Sequence, residues 1–79
     1  MTIKTERLAL TPRELEIIEY LAEGRSFPEI AEAMEISVRT VKSYSDSARK
    51  KLGVAKARLL PSAYAEATGQ NPWPEVATA

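Results

Sequence analysis

The side chains best suited to binding a charged ligand are concentrated between positions 37 and 58. This stretch contains seven lysines and arginines and one acid, Asp46. Residues 1–36 contain four basic side chains and eight glutamates. The net charge of zero over all 79 residues therefore conceals two regions of opposite sign. A local excess of positive charge attracts polyanions, and nucleic acid is the commonest polyanion that proteins bind.

The composition excludes several kinds of chemistry. The chain has no histidine and no cysteine, so zinc sites, disulfides and catalysis by Ser-His or Cys-His pairs are excluded. Glu14, Glu16 and Glu19 fall at helical spacings, which favours a solvated helix surface over a catalytic site. We therefore expect no enzyme, no metal and no cofactor. Without an apolar run of about 18 residues or a signal peptide, we also expect a cytoplasmic protein that does not enter a membrane.

Capping signals predict the first two helices. Thr11, Pro12 and Glu14 form the start of a helix with a capping box, and the apolar spacing then continues to a stop at Gly24. This predicts a helix over 12–23 with an apolar face formed by Leu15, Ile18, Leu21 and Ala22. The same signals recur at Ser26, Pro28 and Glu29, which predicts a second helix over about 27–34.

A third helix is predicted over 38–52, because Ser37 can cap it and Gly53 can end it. Only two residues separate the second helix from Ser37, so the two helices must cross steeply as a helix-turn-helix. Pro61 disfavours a helix in the residue before it, so a fourth helix is expected from Pro61 to Thr68 after a turn. The chain is thus predicted to be a small all-α domain of four helices.

The third helix is predicted to have two different faces. Val41, Tyr44, Ala48 and Leu52 recur at spacings of three and four and should face the core. Cations outnumber anions on the opposite face, and this mixture of cations and hydroxyl groups suits phosphate oxygens and base edges better than plain solvation. We expect that face to contact the DNA major groove through Arg39, Lys42, Ser43, Asp46, Arg49 and Lys50.

Over about residues 8–54 the sequence resembles the LuxR-type (GerE/NarL-like) helix-turn-helix domain. The resemblance implies four helices, of which the third reads the major groove and the fourth often mediates dimerisation. The matching segments occur in the family's order and spacing. They are Leu10-Thr11-Pro12-Arg13-Glu14, Ala22-Glu23-Gly24, Glu29-Ile30-Ala31, Ser37, Thr40-Val41-Lys42 and Lys51-Leu52-Gly53-Val54.

The resemblance also implies roles for individual residues. Lys42 and Ser43 occupy the positions expected nearest the base edges. Thr40 is expected to contact a phosphate or the adjacent turn, and Lys51 is expected to contact a phosphate. Val41 is expected in the core, as is Leu52.

The sequence departs from the family pattern at several positions. Glu35 replaces a glycine that is common in the turn, so we expect a reshaped turn. Ser45 and Ala48 replace larger aliphatic side chains, and Pro61 interrupts the segment that corresponds to the dimerisation helix. Asp46 is the most consequential departure, because an anion there repels phosphate unless it accepts a hydrogen bond from cytosine N4.

The expected organisation is an N-terminal lead (1–9), a LuxR-type domain (10–69) and an irregular tail (70–79). We expect a free-standing, sequence-specific transcription regulator that binds double-stranded DNA through helix 38–52. The alternative is a protein-interaction module, an anti-activator or co-regulator that binds another regulator; a sigma-factor region fits the motifs less well. A homodimer or a protein partner would use the apolar stripe of the fourth helix, formed by Leu59, Leu60, Ala63, Tyr64 and Ala67.

Overall fold

The computed structural model describes residues 9–73, and within that range it contains four α-helices and no strand. This confirms the predicted all-α domain. The expectations for 1–8 and for 74–79 lie outside the described residues. None of the described helices has the length and apolar character that crossing a bilayer requires. The helices are α1 (Pro12–Ala22), α2 (Phe27–Met34), α3 (Val38–Leu52) and α4 (Leu60–Thr68), with a short 3-10 helix at Ala57–Leu59 before α4.

Capping boxes begin both α1 and α2, as the sequence predicted. The Thr11 side chain accepts the N–H of Glu14, and the Glu14 carboxylate accepts the N–H of Thr11 at 2.9 Å. Ser26 and Glu29 make the same reciprocal pair. Each box satisfies two N–H groups that a helix start otherwise leaves unpaired. α1 ends at Ala22, one residue before the predicted end.

The turn between α2 and α3 keeps a left-handed residue although its sequence lacks glycine there. Glu35 has φ 59°, a conformation that costs a non-glycine residue about 1–2 kcal/mol. The N–H of Ile36 bonds to the carbonyl of Ala31 at 3.0 Å, and Ile36 packs against the core. The prediction that the turn is reshaped was therefore wrong. The turn keeps its left-handed conformation, and Glu35 adopts it in place of glycine. Ser37 then caps α3 by accepting the N–H of Thr40 at 3.0 Å.

The core consists of two clusters, and α3 contributes to both. In the first cluster, Val41 of α3 is buried with Ile17 of α1 and Ile30 of α2. In the second, Ala48 of α3 is buried with residues of α1 and α4, namely Ile18, Leu60 and Tyr64.

The prediction for the apolar face of α1 was only partly right. It included Ile18, which is buried, but it omitted Ile17, which is completely buried. Leu15 and Leu21, which it did include, are only half-buried. Adjacent isoleucines can both be buried because α1 packs against different elements on its two sides, so its apolar face is wider than one stripe.

α4 begins at Leu60, one residue before the predicted start at Pro61, so the residue before the proline is helical after all. The 3-10 turn at Ala57–Leu59 leads into a helix with Pro61 in its first turn, where the missing N–H would have had no partner. The predicted turn and helix are both confirmed. Leu60, Pro61 and Tyr64 face inward, so α4 closes the second cluster against α1 and α3.

A buried ion pair connects the first turn of α1 to the last turn of α3. Lys51 Nζ lies 2.7 Å from Glu14 Oε1, and it also donates to the carbonyl oxygen of Ala9 at 2.7 Å. The Glu14 side chain is 4% exposed and that of Lys51 is 27% exposed. The prediction that Glu14 lies on a solvated surface was therefore wrong: its carboxylate is buried, and it both caps α1 and binds Lys51.

The ion pair and the neighbouring hydrogen bonds favour the ionised form of Glu14. Burial raises the pKa of the carboxyl, but hydrogen bonds from Lys51, from Ser47 and from the Thr11 N–H lower it, as does the charge of Lys51. The lowering contributions prevail, and the pKa lies below its ordinary value of 4.5. The carboxylate therefore stays ionised at neutral pH and contributes to stability in that form.

Replacing Lys51 by methionine should destabilise the domain, because the Glu14 carboxylate would stay buried without its cation. We expect a loss of roughly 2–3 kcal/mol, less than for a fully buried pair because Lys51 is partly exposed. Urea unfolding at pH 7 measures it. Lys50→Met on the exposed side of α3 is the matched control, expected to change stability by less than about 0.5 kcal/mol. Equal stabilities for the two variants would contradict the account.

Acidification should reduce the stability of the native protein more than that of Glu14→Gln. A carboxyl with a lowered native pKa contributes stability above its unfolded pKa, near 4.5, and loses it as the pH falls through the native pKa. Glu14→Gln lacks this titration and should be less stable than the native protein at pH 7, with the difference shrinking below the ordinary glutamate pKa. Urea midpoints measured from neutral pH downward would test this. A difference that stays constant would refute it.

Candidate nucleic-acid interface

α3 presents a polar, mainly cationic face to solvent and an uncharged face to the core. Val41, Ser45 and Ala48 are buried. Four of the predicted DNA-contacting residues are exposed on the other side, namely Arg39, Lys42, Ser43 and Lys50. The long helix is fixed by packing on its buried side, so these side chains are carried on a rigid element.

Side-chain hydroxyls organise the start of this face. Thr40 Oγ1 lies 2.9 Å from Ser37 Oγ, so Thr40 contacts the turn that precedes α3, one of its two expected roles. Val38 lies beside this cap and is 45% exposed. Val38 was not predicted at this surface, because an apolar residue in a first turn carries no charge signal. An exposed valine can contact the methyl group of thymine.

Asp46 and Arg49 form an ion pair on α3, one turn apart. Arg49 also donates through Nη1 to the carbonyl oxygen of Ala55 at 2.9 Å. Both side chains are half-buried. Asp46 and Arg49 were predicted as separate groove-facing residues, whereas the structure pairs them and bonds Arg49 to the segment that follows α3.

Lys51 lies apart from the exposed cations. Its ammonium group binds Glu14 and the carbonyl oxygen of Ala9, which directs it toward α1. Two of its three N–H groups are thus used within the fold, and we assign Lys51 a structural role; the phosphate contact that the family resemblance implied stays a prediction. The sequence could not distinguish a phosphate contact from a structural role for Lys51, because its partner Glu14 lies 37 positions away along the chain.

The charges of the folded domain are segregated as the sequence indicated. Lys56 and Arg58, in the segment between α3 and α4, are exposed and extend the cations of α3. Two glutamates of α1 and the one that follows its last residue line a shallow open depression together with Tyr20, namely Glu16, Glu19 and Glu23. One helix thus concentrates negative charge and another concentrates positive charge, which gives the domain a polarised surface.

The structure divides the five residues expected at a dimer or partner interface. Leu60 and Tyr64 are buried inside the domain, with exposures of 0% and 4%, so neither is available to a partner in this conformation. Leu59 is 39% exposed, while Ala63 and Ala67 are half-buried. The surface that α4 offers is correspondingly smaller than the apolar stripe of its sequence.

Comparisons with known proteins match the part of the chain that contains these helices. The GerE family model, described as "Bacterial regulatory proteins, luxR family", matches residues 8–60. The transcriptional activator protein YukR of Yersinia ruckeri is 45% identical over 49 residues, which are 62% of this chain and 21% of that protein. The chain thus corresponds to about a fifth of the length of this relative. No solved structure gives a significant match.

Tyr64→Glu should unfold the domain rather than separate a dimer, because it places a carboxylate in the second cluster. We expect a loss of at least about 3 kcal/mol, as for removal of other large core side chains. Ser62→Glu is the control: Ser62 is exposed on α4, so this variant should leave the helical circular dichroism and the melting temperature nearly unchanged. A Tyr64→Glu variant as stable as Ser62→Glu would overturn the assignment of Tyr64 to the core.

Proposed function

The chain belongs to the LuxR family of bacterial regulatory proteins, and from this membership we propose that it is a transcription regulator that binds double-stranded DNA. The observation that carries the proposal is the exposed cationic face of α3, held by a helix-turn-helix. α3 has 15 residues, so it is about 22 Å long, and a major groove about 12 Å wide admits such a helix. The match to a protein named as a transcriptional activator supports the same function.

Within this proposal the exposed residues of α3 have different roles. Lys42 and Ser43 reach base edges, where a lysine recognises the O6 and N7 acceptors of guanine. Arg39 and Lys50 bind phosphates, which position the helix without reading sequence. Thr40 holds the first turn against Ser37 and is close enough to the helix start to meet a phosphate there. Binding of this kind is sequence-specific because base contacts are added to the phosphate contacts.

We also propose that the exposed part of α4 mediates a contact between two protein molecules. Leu59 supplies the apolar centre, and Ala63 and Ala67 are small enough for a second helix to approach closely. A homodimer would place two copies of α3 on half-sites about one helical turn of DNA apart. The same surface could bind another regulator, which is the second candidate function, an interaction module. A bacterial regulator that acts on the chromosome works in the cytoplasm, and we place the protein there.

The family is one of regulators and not of enzymes. Two of the three glutamates that could have suggested acid-base chemistry have other partners: Glu14 binds Lys51, and Glu16 pairs with Arg13 at 3.3 Å on the surface. We therefore propose a function that requires no catalytic residue and no cofactor.

Lys42→Ala should weaken binding to a preferred DNA sequence by roughly 1–3 kcal/mol and leave the fold intact, because Lys42 is exposed and would lose a base contact. Fluorescence anisotropy with labelled duplexes, titrated across a range of salt concentrations, measures it. Arg13→Ala removes an equal charge from α1 and is the matched control. Affinity should also fall linearly with salt on logarithmic axes. If both variants bind as the native protein does, Lys42 does not contact DNA.

A further inference from the structure

We propose that Asp46 reads a cytosine in the preferred DNA sequence by accepting a hydrogen bond from its N4 amino group, and that Arg49 positions the carboxylate for this contact. The inference rests on the proposed DNA-binding function and deepens it, because it names a base and the residue that recognises it.

Asp46 is the one acid on α3, and it lies among cations. Lys42 precedes it by one turn and Lys50 follows it by one turn, and both are exposed. These two lysines can bind phosphates or guanine on either side of Asp46. A carboxylate between them meets less repulsion from DNA, and the groups that can donate to it there are on the base edges, since phosphates only accept hydrogen bonds.

Arg49 restricts the conformation of this carboxylate. Its Nη2 donates to Oδ1 of Asp46, and its Nη1 donates to the carbonyl oxygen of Ala55 at 2.9 Å. The guanidinium group is planar and presents its N–H groups in a fixed geometry. The two hydrogen bonds, one from Nη1 and one from Nη2, therefore hold the group in place. Asp46 is thus oriented before DNA binds, which reduces the entropy that a contact would cost.

The second carboxylate oxygen, Oδ2, remains available. Among the described residues no hydrogen bond to Oδ2 is present, and the Asp46 side chain is 43% exposed. A carboxylate accepts hydrogen bonds and donates none, so its complement in the major groove is an amino group. Cytosine N4 and adenine N6 are the amino groups that this groove presents.

Cytosine suits a carboxylate better than adenine does. The amino group of cytosine stands beside a C–H group on the same base, whereas that of adenine stands beside the N7 acceptor. A carboxylate near N7 meets a second lone pair and is repelled, which makes adenine a weaker partner. Lys42 and Asp46 are four residues apart, or about 6 Å along the helix axis. Successive base pairs are separated by about 3.4 Å, so we expect a guanine and a cytosine about two base pairs apart.

A purely structural role makes a different prediction. Ion pairs at this spacing stabilise isolated helices slightly. If the Asp46–Arg49 pair did only that, removing it would lower the melting temperature without changing which bases are preferred. Base preference is therefore the measurement that separates the two roles.

The first experiment selects bound duplexes from a randomised pool with the native protein, Asp46→Ala, Asp46→Asn and Arg49→Met. Glu19→Ala, which removes an exposed acid from α1, is the control. The native protein and the control should select the same sequence, including one cytosine that Asp46→Ala no longer prefers. Asp46→Asn should shift that position toward adenine, because an amide can both donate and accept there. Arg49→Met should weaken the cytosine preference at the same position without moving it.

The second experiment measures affinity for the selected duplex with N4-methylcytosine at that position, which puts a methyl group in place of the groove-facing N–H. The native protein should lose roughly 5- to 150-fold in affinity, the usual range for one base contact. Asp46→Ala should bind the normal and methylated duplexes equally, since it lacks the acceptor.

The outcomes distinguish the inference from the function on which it rests. If the native protein binds no duplex even at low salt, the proposed function and the inference both fail. If it binds DNA but Asp46→Ala keeps every base preference, only the cytosine contact is overturned. Binding without any sequence preference, or a native preference for adenine at the position that Asp46 controls, also overturns it. A cytosine preference that depends on Asp46 and on the N4 amino group supports it.

Discussion

The packing of α3 against both hydrophobic clusters is the constraint on which the rest of the domain depends. Val41 contributes to the cluster with α1 and α2, and Ala48 contributes to the cluster with α1 and α4. Between these two residues, Ser45 is buried and its hydroxyl has no hydrogen-bond partner among the described residues. One face of α3 is thereby fully used for stability. The opposite face is free to carry charge, and its orientation is set by the core.

Two ion pairs involve cations of α3. The pair of Lys51 with Glu14 is buried and connects the end of α3 to the start of α1, and the pair of Arg49 with Asp46 lies at the edge of the exposed face. Each pair joins a cation that was predicted to contact DNA to an acid of the protein itself. The remaining exposed cations lie on α3 and in the segment after it, while glutamates collect on α1. A protein with no net charge can therefore present a strongly positive surface to DNA.

The features that the sequence predicted are those determined by neighbours in the chain. The capping boxes at Thr11 and Ser26 and the bounds of α2 and α3 depend on residues three or four apart, and all were predicted correctly. Burial of Ile17, Leu60 and Tyr64 and the partner of Lys51 depend on how helices pack across the domain. An apolar stripe on α4 has the same spacing whether it fills the core or meets another molecule. Periodicity alone could not decide between the two, and so the interface was predicted too large. The exposed face of α3 was predicted more successfully, because charged residues opposite an apolar stripe leave only one arrangement.

The claim that α3 is the surface that meets DNA can be tested by titrating the isotopically labelled protein with duplex DNA at low salt and following its amide NMR signals. We expect the largest changes within residues 37–50, with smaller changes in the segment around Lys56 and Arg58. The NMR signals of the α1 amides, on the acidic side of the domain, should change very little. Changes concentrated in α1 or α4, with those of α3 unaffected, would contradict the account.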